Sequence, residues 1–367
     1  MADDKLRLGI IGASTRYGWG MRAHLPAIKA LPQYELAAVC TTSKETAEAS
    51  AAHYGASKAY WDYHRLVDDN DIDVVDVCVR APSHYDIVKA ALNAGKHVYC
   101  EWPLGVNSTQ TRELAELAKR KGVRTMIGLQ ARGSASVIRM KELIEEGYVG
   151  QVLSCNMTQF LPGILRPRPS RGSWGAKKEG GVGALNVATG HAIDLFCWCV
   201  GDFAELAASV SVQVKQWKLT DAEGTVDVTA PDDIAITGRL LNGAVASVHI
   251  ASVPWQGSAF RMEVYGTEGT LIASSDQMIQ FVDPVLKGAR SDAAEMEDIA
   301  IPERLRWVPA SLPDGSALNV GQMLSSLATA IVAGKEAEPT FQEALRRHLL
   351  LDHIEMASES NKWVSVT

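Results

Sequence analysis

Apolar and polar positions follow two different patterns along this 367-residue chain. Over about the first 130 residues, short apolar runs alternate with segments whose apolar residues recur at helical spacing. The runs predict strands at 5–12, 35–40, 57–60, 73–79, 96–100 and 125–130. Because buried strands that alternate with helices are typical of a right-handed, doubly wound parallel sheet, we predict an α/β domain over residues 1–130.

The pattern changes after residue 150. Alternating apolar and polar residues predict strands at 152–157, 207–214, 233–240, 244–251 and 260–265, with hairpin turns at 241–243 and 267–269. Helical spacing predicts helices at 134–146, 319–333 and 340–360. Few segments are suited to cross over between parallel strands, so we predict that residues 131–367 form an α+β domain built on a largely antiparallel sheet.

Composition indicates a soluble globular protein, with 47% hydrophobic and 22% charged residues. The net charge of -7 argues against a nucleic-acid-binding surface, which is usually basic. The acidic first residues and the lack of a long apolar run predict neither a signal peptide nor a membrane span. The six cysteines are scattered, and Cys197 and Cys199 lack a second ligand pair at zinc spacing, so we expect reduced thiols, no metal and a cytoplasmic location.

A glycine turn follows the first predicted strand. Gly12, Gly18 and Gly20 lie where a Rossmann dinucleotide-binding fold brings its backbone close to the pyrophosphate. Ser14 occupies the place of the second glycine in the usual G-x-G-x-x-G, so the motif by itself is weak. The residues of this turn that we expect to bind the cofactor are Gly12, Ser14, Thr15, Arg16 and Trp19, although a solvated position would explain Arg16 equally well.

The second predicted strand ends without the acidic residue that commonly binds the ribose diol of NAD. Thr42, Ser43 and Lys44 follow it, and two hydroxyls with a lysine could accept the 2′-phosphate of NADP. Alternatively, Thr42 or Ser43 simply caps the next helix. We therefore expect NAD or NADP as the cofactor, with these three residues at its site and no preference between the two.

Residues 95–105 read Gly-Lys-His-Val-Tyr-Cys-Glu-Trp-Pro-Leu-Gly, a short strand that ends in a proline bend. Open α/β sheets form their ligand crevice at this end of a parallel strand. The stretch resembles the Glu-Lys-Pro signature of the Gfo/Idh/MocA oxidoreductases, a family of nicotinamide-dependent enzymes that act mainly on sugars and cyclitols. The resemblance implies a lysine that assists proton transfer, and Trp102 stands in its place here.

The resemblance also implies further residues at the cofactor. Pro82 and His84 are similar to a Pro-x-His element that the family places beside the cofactor, although a capping or packing role for His84 is nearly as plausible. The additional cofactor-binding residues that the resemblance implies are Arg80, Pro82, His84, Glu101, Trp102 and Gln130.

A second segment, residues 180–194, resembles the family element G-G-A-L-x-D-x-G-x-H-x-x-D, in which the histidine faces the substrate. This implies that His191 is a candidate acid/base and that Asp194, three residues later on the same helix face, is its orienting partner. Val187 replaces the first aspartate of the element. A buried structural histidine is the alternative for His191.

Residues 165–178 form a basic, proline-stiffened loop in an otherwise acidic protein. Arginine side chains match carboxylate, phosphate or sulfonate oxygens, and a tryptophan can stack on a sugar face, so we expect an anionic sugar or glycoside as the substrate. A solvated surface loop is an equally good interpretation. The residues that we expect to bind substrate are Arg132, Arg166, Arg168, Arg171, Trp174 and Lys177.

Several short segments, among them Gly18-Trp19, Glu101-Trp102 and Gly190-His191, are similar to the fungal galactose-regulon repressor, a relative of the family that acts as a sensor. Three functions are therefore open. They are a sugar oxidoreductase that works without the lysine, an oxidoreductive glycosidase that oxidises its substrate transiently, and a non-catalytic NAD(P)-binding regulator. The family resemblance also implies a homo-oligomer, a dimer or tetramer, that forms through the second domain.

Overall fold

The computed structural model describes residues 5–366, which divide into two compact units. The first unit contains the residues up to Gly133 together with Arg306–Arg346. Its strands are β1 (Leu6–Ile11), β2 (Tyr34–Cys40), β3 (Lys58–Tyr60), β4 (Val74–Val77), β5 (His97–Glu101) and β6 (Thr125–Gly128), and its helices are α1 (Leu25–Ala30), α2 (Lys44–Tyr54), α3 (Tyr63–Val67), α4 (His84–Asn93), α5 (Ser108–Lys121) and α8 (Ser316–Ala333).

In the described part of this unit, six parallel strands pair in the order β3-β2-β1-β4-β5-β6. The strand order reverses beside β1, which is where an open α/β sheet forms its ligand crevice. Ile11 pairs with both Cys40 and Val77, so the carboxyl ends of the three central strands lie side by side. The predicted doubly wound Rossmann sheet is confirmed.

The C-terminal helix α8 belongs to the first unit. Val320, Leu324 and Leu327 are buried with residues of β1, β2 and α1, and the Tyr34 hydroxyl donates a 2.8 Å hydrogen bond to the Leu324 carbonyl. By length and composition α8 could cross a membrane, but 67% of it is buried, as in the core helix of a soluble protein. The sequence-based division, in which all of 131–367 forms the second domain, differs from the structure in this segment.

The second unit comprises Ser134–Leu305 and the residues from Arg347 onward. Its elements are α6 (Ala135–Glu145), α7 (Gly190–Val200), β7 (Val152–Phe160), β8 (Phe203–Ser211), β9 (Gln216–Lys218), β10 (Thr225–Asp227), β11 (Asp233–Leu240), β12 (Val245–Ala251), β13 (Ala259–Gly266), β14 (Gly269–Ser275), β15 (Val285–Arg290), β16 (Glu297–Asp298) and β17 (Val364–Ser365), and helix α9 (Phe341–Ser360) runs into it from the first unit.

Among the described residues of this unit, nine strands form one sheet in the order β16-β15-β14-β13-β7-β12-β11-β8-β17. The β7–β12 pair is parallel and the other neighbouring pairs in this described range are antiparallel. Strand β11 has the predicted bounds, and the turn after Leu240 contains Gly243 at a φ of 89°, as the predicted hairpin requires. The prediction of a largely antiparallel sheet in an α+β unit is therefore confirmed.

Candidate functional site

The glycine turn after β1 fits a dinucleotide closely. Gly12 has a φ of +109°, and a Cβ on it would lie 2.0 Å from the Cys78 carbonyl oxygen. Its amide donates a 3.0 Å hydrogen bond to the Cys40 carbonyl, which fixes the turn beside the end of β2. Because no other residue fits this backbone, the turn is built for the close approach that a pyrophosphate needs.

The rest of the turn is held by its own polar groups. The Ser14 amide donates to the Gly12 carbonyl at 3.0 Å, and the Ser14 hydroxyl accepts from the Arg16 amide at 3.2 Å. Tyr54 of α2 donates to the Ser14 carbonyl at 3.0 Å. Thr15 is half-buried, the Arg16 side chain is exposed, and Trp19 packs partly buried against the core. A π-helical turn at Gly20–His24 then leads into α1.

At the end of β2, Ser43 is the N-cap of α2 and accepts a hydrogen bond from the Thr46 amide at 3.3 Å. The capping alternative is therefore correct for Ser43. Thr42 and Lys44 are exposed, and the ion pair of Lys44 with Glu48 is long, at 3.8 Å. These two side chains are the ones that this strand end offers to a ligand.

A buried cluster of charged groups lies under the proline bend. His24 Nδ1 is 2.7 Å from Asp76 on β4, and its Nε2 is 2.9 Å from Glu101 at the end of β5. Gln130 donates to both Glu101 oxygens, at 2.8 and 2.6 Å. Burial lowers the pKa of His24, but the charges and hydrogen bonds of Asp76 and Cys78 together outweigh burial and raise that pKa well above its usual value. The arrangement fixes the Glu101 carboxylate in one orientation.

His24 and Asp76 were missed as site residues by the sequence analysis. Asp76 interrupts the apolar run Val74-Val75-Asp76-Val77, and an aspartate in the middle of a buried strand is a signal for a buried partner. The sequence gives no indication that the partner is His24, which lies 52 residues away.

His84 holds the other side of the bend. Its Nδ1 lies 2.7 Å from the Pro103 carbonyl and its Nε2 lies 3.1 Å from the Val79 carbonyl, and the ring is buried at the start of α4. Burial lowers the pKa of His84, so the ring is neutral near pH 7. Trp102 is also buried, whereas Arg80 and Pro82, in the preceding turn, are exposed.

Arg132 lies in the turn after β6 and is buried in an ion pair with Glu343, with a separation of 3.2 Å. Its guanidinium is therefore engaged within the first unit. This contact gives Arg132 a structural role in addition to the substrate-binding role expected from the sequence.

In the second unit, His191 is the second residue of α7 and is only 4% exposed. Its Nδ1 has no hydrogen-bond partner among residues 5–366. Burial lowers the pKa of His191 to about 3, so the imidazole is neutral throughout the physiological pH range. A buried ring nitrogen without a hydrogen-bond partner is costly to maintain, and a catalytic role is one of the explanations for such a group.

Asp194, one helical turn after His191, is fully buried. Its Oδ1 lies 3.4 Å from Nε of Arg347 on α9, and Nη1 of Arg347 donates to Asp202 at 2.8 Å. Asp194 is therefore paired with a buried cation, and its carboxylate is part of an ion-pair network that joins α7 to α9. The sequence analysis did not identify Arg347, because the partners lie more than 140 residues apart in the chain.

The basic loop packs on the β9–β10 hairpin. The Arg168 guanidinium lies 3.7 Å from the centre of the Trp217 ring and donates to the Gly163 carbonyl at 3.0 Å, so this side chain anchors the loop. Of the loop residues expected to bind substrate, four are exposed to solvent, namely Arg166, Arg171, Trp174 and Lys177. Among the described residues, no group of three or more His, Cys, Asp or Glu side chains could hold a metal ion.

Comparison with known proteins agrees with this arrangement. A model of an oxidoreductase family with an NAD-binding Rossmann fold, GFO_IDH_MocA, matches residues 6–129, and a model of the Gal80p C-terminal domain matches residues 135–275. The dehydrogenase aclE of Aspergillus oryzae is 30% identical over 301 residues, which cover 77% of this chain and 80% of aclE. The chain belongs to the Gfo/Idh/MocA oxidoreductase family.

Two further relatives differ in what they do. Levoglucosan dehydrogenase of Pseudarthrobacter phenanthrenivorans is 27% identical over 98% of each chain, and a solved structure of levoglucosan dehydrogenase with NADH and levoglucosan superposes with a TM-score of 0.86 at 26% identity over 99% of each chain. The galactose/lactose metabolism regulatory protein GAL80 of Saccharomyces cerevisiae is 27% identical over 74% of this chain and 67% of GAL80. The expected family and its nicotinamide dinucleotide cofactor are confirmed.

Proposed function

We propose that this protein is an NAD(P)-dependent oxidoreductase that oxidises or reduces a sugar or sugar derivative at a ring carbon, without the lysine usual in its family. The observation that carries the proposal is the state of His191, a neutral and buried imidazole with an unpartnered Nδ1. The relationship to levoglucosan dehydrogenase supports a sugar as the substrate.

His191 is the acid/base in this proposal. In the oxidation direction, the bound dinucleotide supplies the hydride acceptor. The substrate C–H bond breaks, the carbonyl forms, and His191 takes the proton of the sugar hydroxyl. Its neutral state is the state that can accept a proton.

Asp194 is a positioning residue in this scheme. Because Arg347 neutralises its charge, Asp194 fixes the start of α7 rather than taking a proton itself. Glu101 is held by His24 and Gln130, and it fixes the bend that carries Trp102 in the dinucleotide-binding unit. The buried indole of Trp102 occupies the sequence position of the lysine and excludes water from its surroundings.

The exposed basic side chains of the loop favour an anionic sugar or glycoside. Arg166, Arg171 and Lys177 are all exposed, and Trp174 presents an aromatic face next to them in sequence. Arg168 is excluded from this role because it is stacked on Trp217. Replacement of Arg166 and Arg171 with glutamine should weaken binding of an acidic sugar and leave that of its neutral analogue unchanged.

The experiment that tests the proposal follows reduced nicotinamide absorbance and aglycone release together, with neutral and acidic sugars and their aryl glycosides. Net reduction of cofactor that is lost in a His191→Leu variant supports the oxidoreductase. Aglycone release that needs cofactor but gives no net reduction would replace it with the oxidoreductive glycosidase. A His353→Leu variant, changed at a half-buried histidine on α9, is the matched control.

The match of residues 135–275 to the Gal80p C-terminal domain favours a second candidate, a non-catalytic regulator. A regulator would bind the dinucleotide and a protein partner but would catalyse no hydride transfer. Confirmed cofactor binding with no activity in either assay, and no effect of His191→Leu on cofactor affinity, would support the regulator over the enzyme.

We also propose a cytoplasmic homo-oligomer. All six cysteines lie in the described range, and they are free and buried, as in proteins of reducing compartments. Light scattering after size-exclusion chromatography would test the assembly, and a mass close to the 39.6 kDa of one chain would count against it.

A further inference from the structure

We propose that the carboxyl edge of β2 and β3 holds the 2′-phosphate of NADP, with Lys44 and Arg65, which both lie near the Trp61 ring, as its cations. This makes the protein an NADP-preferring member of its family. The proposal rests on the proposed function only through the dinucleotide cofactor, whose adenosine ribose lies at the end of β2 in a Rossmann fold.

The register of the sheet brings Trp61 to this place. Cys40 pairs with Tyr60, and the Thr41 amide donates a 3.0 Å hydrogen bond to the Tyr60 carbonyl. The first residue after β3, Trp61, therefore lies beside Thr41 and Thr42, the first residues after β2. The glycine turn is next along the same edge, because the Gly12 amide bonds to the Cys40 carbonyl.

Two cations, one from α2 and one from α3, lie near the Trp61 ring. Lys44 Nζ, at the start of α2, and Arg65 Cζ, on α3, each lie 5.9 Å from the ring centroid. The indole is 43% exposed, which is unusual for a tryptophan that serves only the core. Two cations gathered around one exposed ring form a positive site in a protein whose net charge is -7.

The two cations are available to an anion. The pair between Lys44 and Glu48 is long, at 3.8 Å, and exposed, so it contributes little that a phosphate dianion would have to displace. Arg65 forms no salt bridge with any residue in the range 5–366, and the planar guanidinium suits two phosphate oxygens at once.

The nearby acidic groups are engaged elsewhere. Asp62 caps α3 by accepting a 2.9 Å hydrogen bond from the His64 amide. Glu45 is in the first turn of α2, where a hydrogen bond from its own backbone amide lowers the pKa of its carboxyl. The Thr41 hydroxyl donates to the Ser43 carbonyl, and the Ser43 hydroxyl accepts from the Thr46 amide. Thr42 therefore carries the exposed hydroxyl at the strand end.

Binding measured by titration calorimetry at low salt, with the full-length protein and no substrate, tests the proposal. We expect NADP⁺ to bind at least about tenfold more tightly than NAD⁺, a difference of the size that one charge-assisted phosphate site supplies. Arg65→Gln and Lys44→Gln should each weaken NADP⁺ by about tenfold and change NAD⁺ less than about twofold. Thr42→Asp should reverse the preference, because a carboxylate there repels the phosphate and accepts from the ribose diol.

Arg120→Gln is the matched control. Arg120 is an exposed arginine on α5 of the same unit, with one long ion pair to Glu116 at 3.9 Å. The Arg120→Gln variant should bind both cofactors as the wild type does. Loss of NADP⁺ affinity in the control equal to that in Arg65→Gln would show a general charge effect and overturn the subsite.

Wild-type protein that binds NAD⁺ as tightly as NADP⁺, or variants that lose both cofactors equally, would also overturn the proposal. If neither NADP⁺ nor NAD⁺ binds, both this proposal and the proposed function are overturned. NADP⁺ preference without turnover on any sugar would support the subsite and count against sugar oxidation, so the two failures are distinguishable.

Discussion

His24 and Glu101 meet 2.9 Å apart beneath the bend that carries Trp102, and both side chains are buried. The same imidazole bonds Asp76 through its other nitrogen at 2.7 Å. One cation therefore balances two carboxylates, and Gln130 completes the coordination of Glu101. The Glu-Trp-Pro segment is consequently held by Gln130, in the helical turn after β6, and by His24, which is itself paired with Asp76 on β4.

Removal of the His24 imidazole should strongly destabilise the folded protein. We expect His24→Ala to lower the free energy of unfolding by about 3–5 kcal/mol, because it leaves Asp76 and Glu101 buried without a cation. Denaturant titration measures this change. His53→Ala, at an exposed histidine on α2, is the control and should behave as wild type. A near-wild-type value for His24→Ala would contradict the ionic account of the cluster.

The same cluster predicts a dependence of stability on pH. In the folded protein, burial lowers the pKa of His24, but the charges and hydrogen bonds of Asp76 and Cys78 together raise it. The protonated His24 contributes fully to the free energy of unfolding below its unfolded pKa of about 6.5. This contribution is lost as the pH rises through the folded pKa. The free energy of unfolding should therefore fall between pH 7 and pH 9, and a flat or rising curve over this range would count against a protonated His24.

The ion pair between Asp194 and Arg347 predicts a difference between two variants. Arg347→Met should cost about 3–5 kcal/mol of stability, because Asp194 is then buried and unpaired. Asp194→Asn should cost less, because Arg347 keeps its 2.8 Å bond to Asp202. Urea unfolding compares the two.

Kinetics separate the structural role of Asp194 from proton transfer. If Asp194 only positions α7, Asp194→Asn should lower kcat but leave the shape of the pH–rate profile unchanged. Loss of one limb of that profile would show instead that its carboxyl gives or takes the proton. His191→Leu provides the reference, because it removes the proposed acid/base directly.

Substitution of Gly12 should weaken cofactor binding, whereas the same substitution at Gly55 should not. A Cβ at Gly12 would lie 2.0 Å from the Cys78 carbonyl, so Gly12→Ala should lower dinucleotide affinity by more than about tenfold. Gly55 also has a positive φ, of 79°, but a Cβ there meets nothing within 4 Å. Gly55→Ala should therefore cost about 1 kcal/mol of stability and leave affinity unchanged, as calorimetry would show.

The parallel sheet could be predicted because each strand is a short, mostly apolar segment that can be recognised by itself. Strand β4 and its neighbours needed no knowledge of distant residues. The domain to which α8 belongs could not be predicted, because an apolar helix face indicates burial but not which core it enters. Strands β14 and β15 were missed because apolar and polar residue types do not alternate regularly in their sequences, although the burial of their residues does.

The candidate site divides in the same way. His191 and Glu101 lie in local motifs, which a sequence displays directly. The functions of their neighbours depend on partners that are distant in the chain, as His24 is from Glu101 by 77 residues. Arg168 shows the opposite case. The basic composition of its loop suggested that Arg168 binds a ligand, but its guanidinium is stacked on Trp217. Charge in a loop does not indicate whether the charge is free.

Trp102 allows the replacement of the family lysine to be tested. Trp102 is buried, so Trp102→Lys should lower the free energy of unfolding by at least about 3 kcal/mol at pH 6, where the new ammonium is charged, whereas Trp102→Phe should cost less.

Burial lowers the pKa of such an ammonium in the folded state. The destabilisation by Trp102→Lys should therefore shrink as the pH rises from that lowered pKa towards the unfolded value of about 10.4. Urea midpoints at pH 6 and pH 9 would measure this, with Trp363→Lys as the control because Trp363 is exposed. Wild-type stability of Trp102→Lys at pH 6 would show that a lysine at this position reaches water, and that the indole lines an open pocket and not the core.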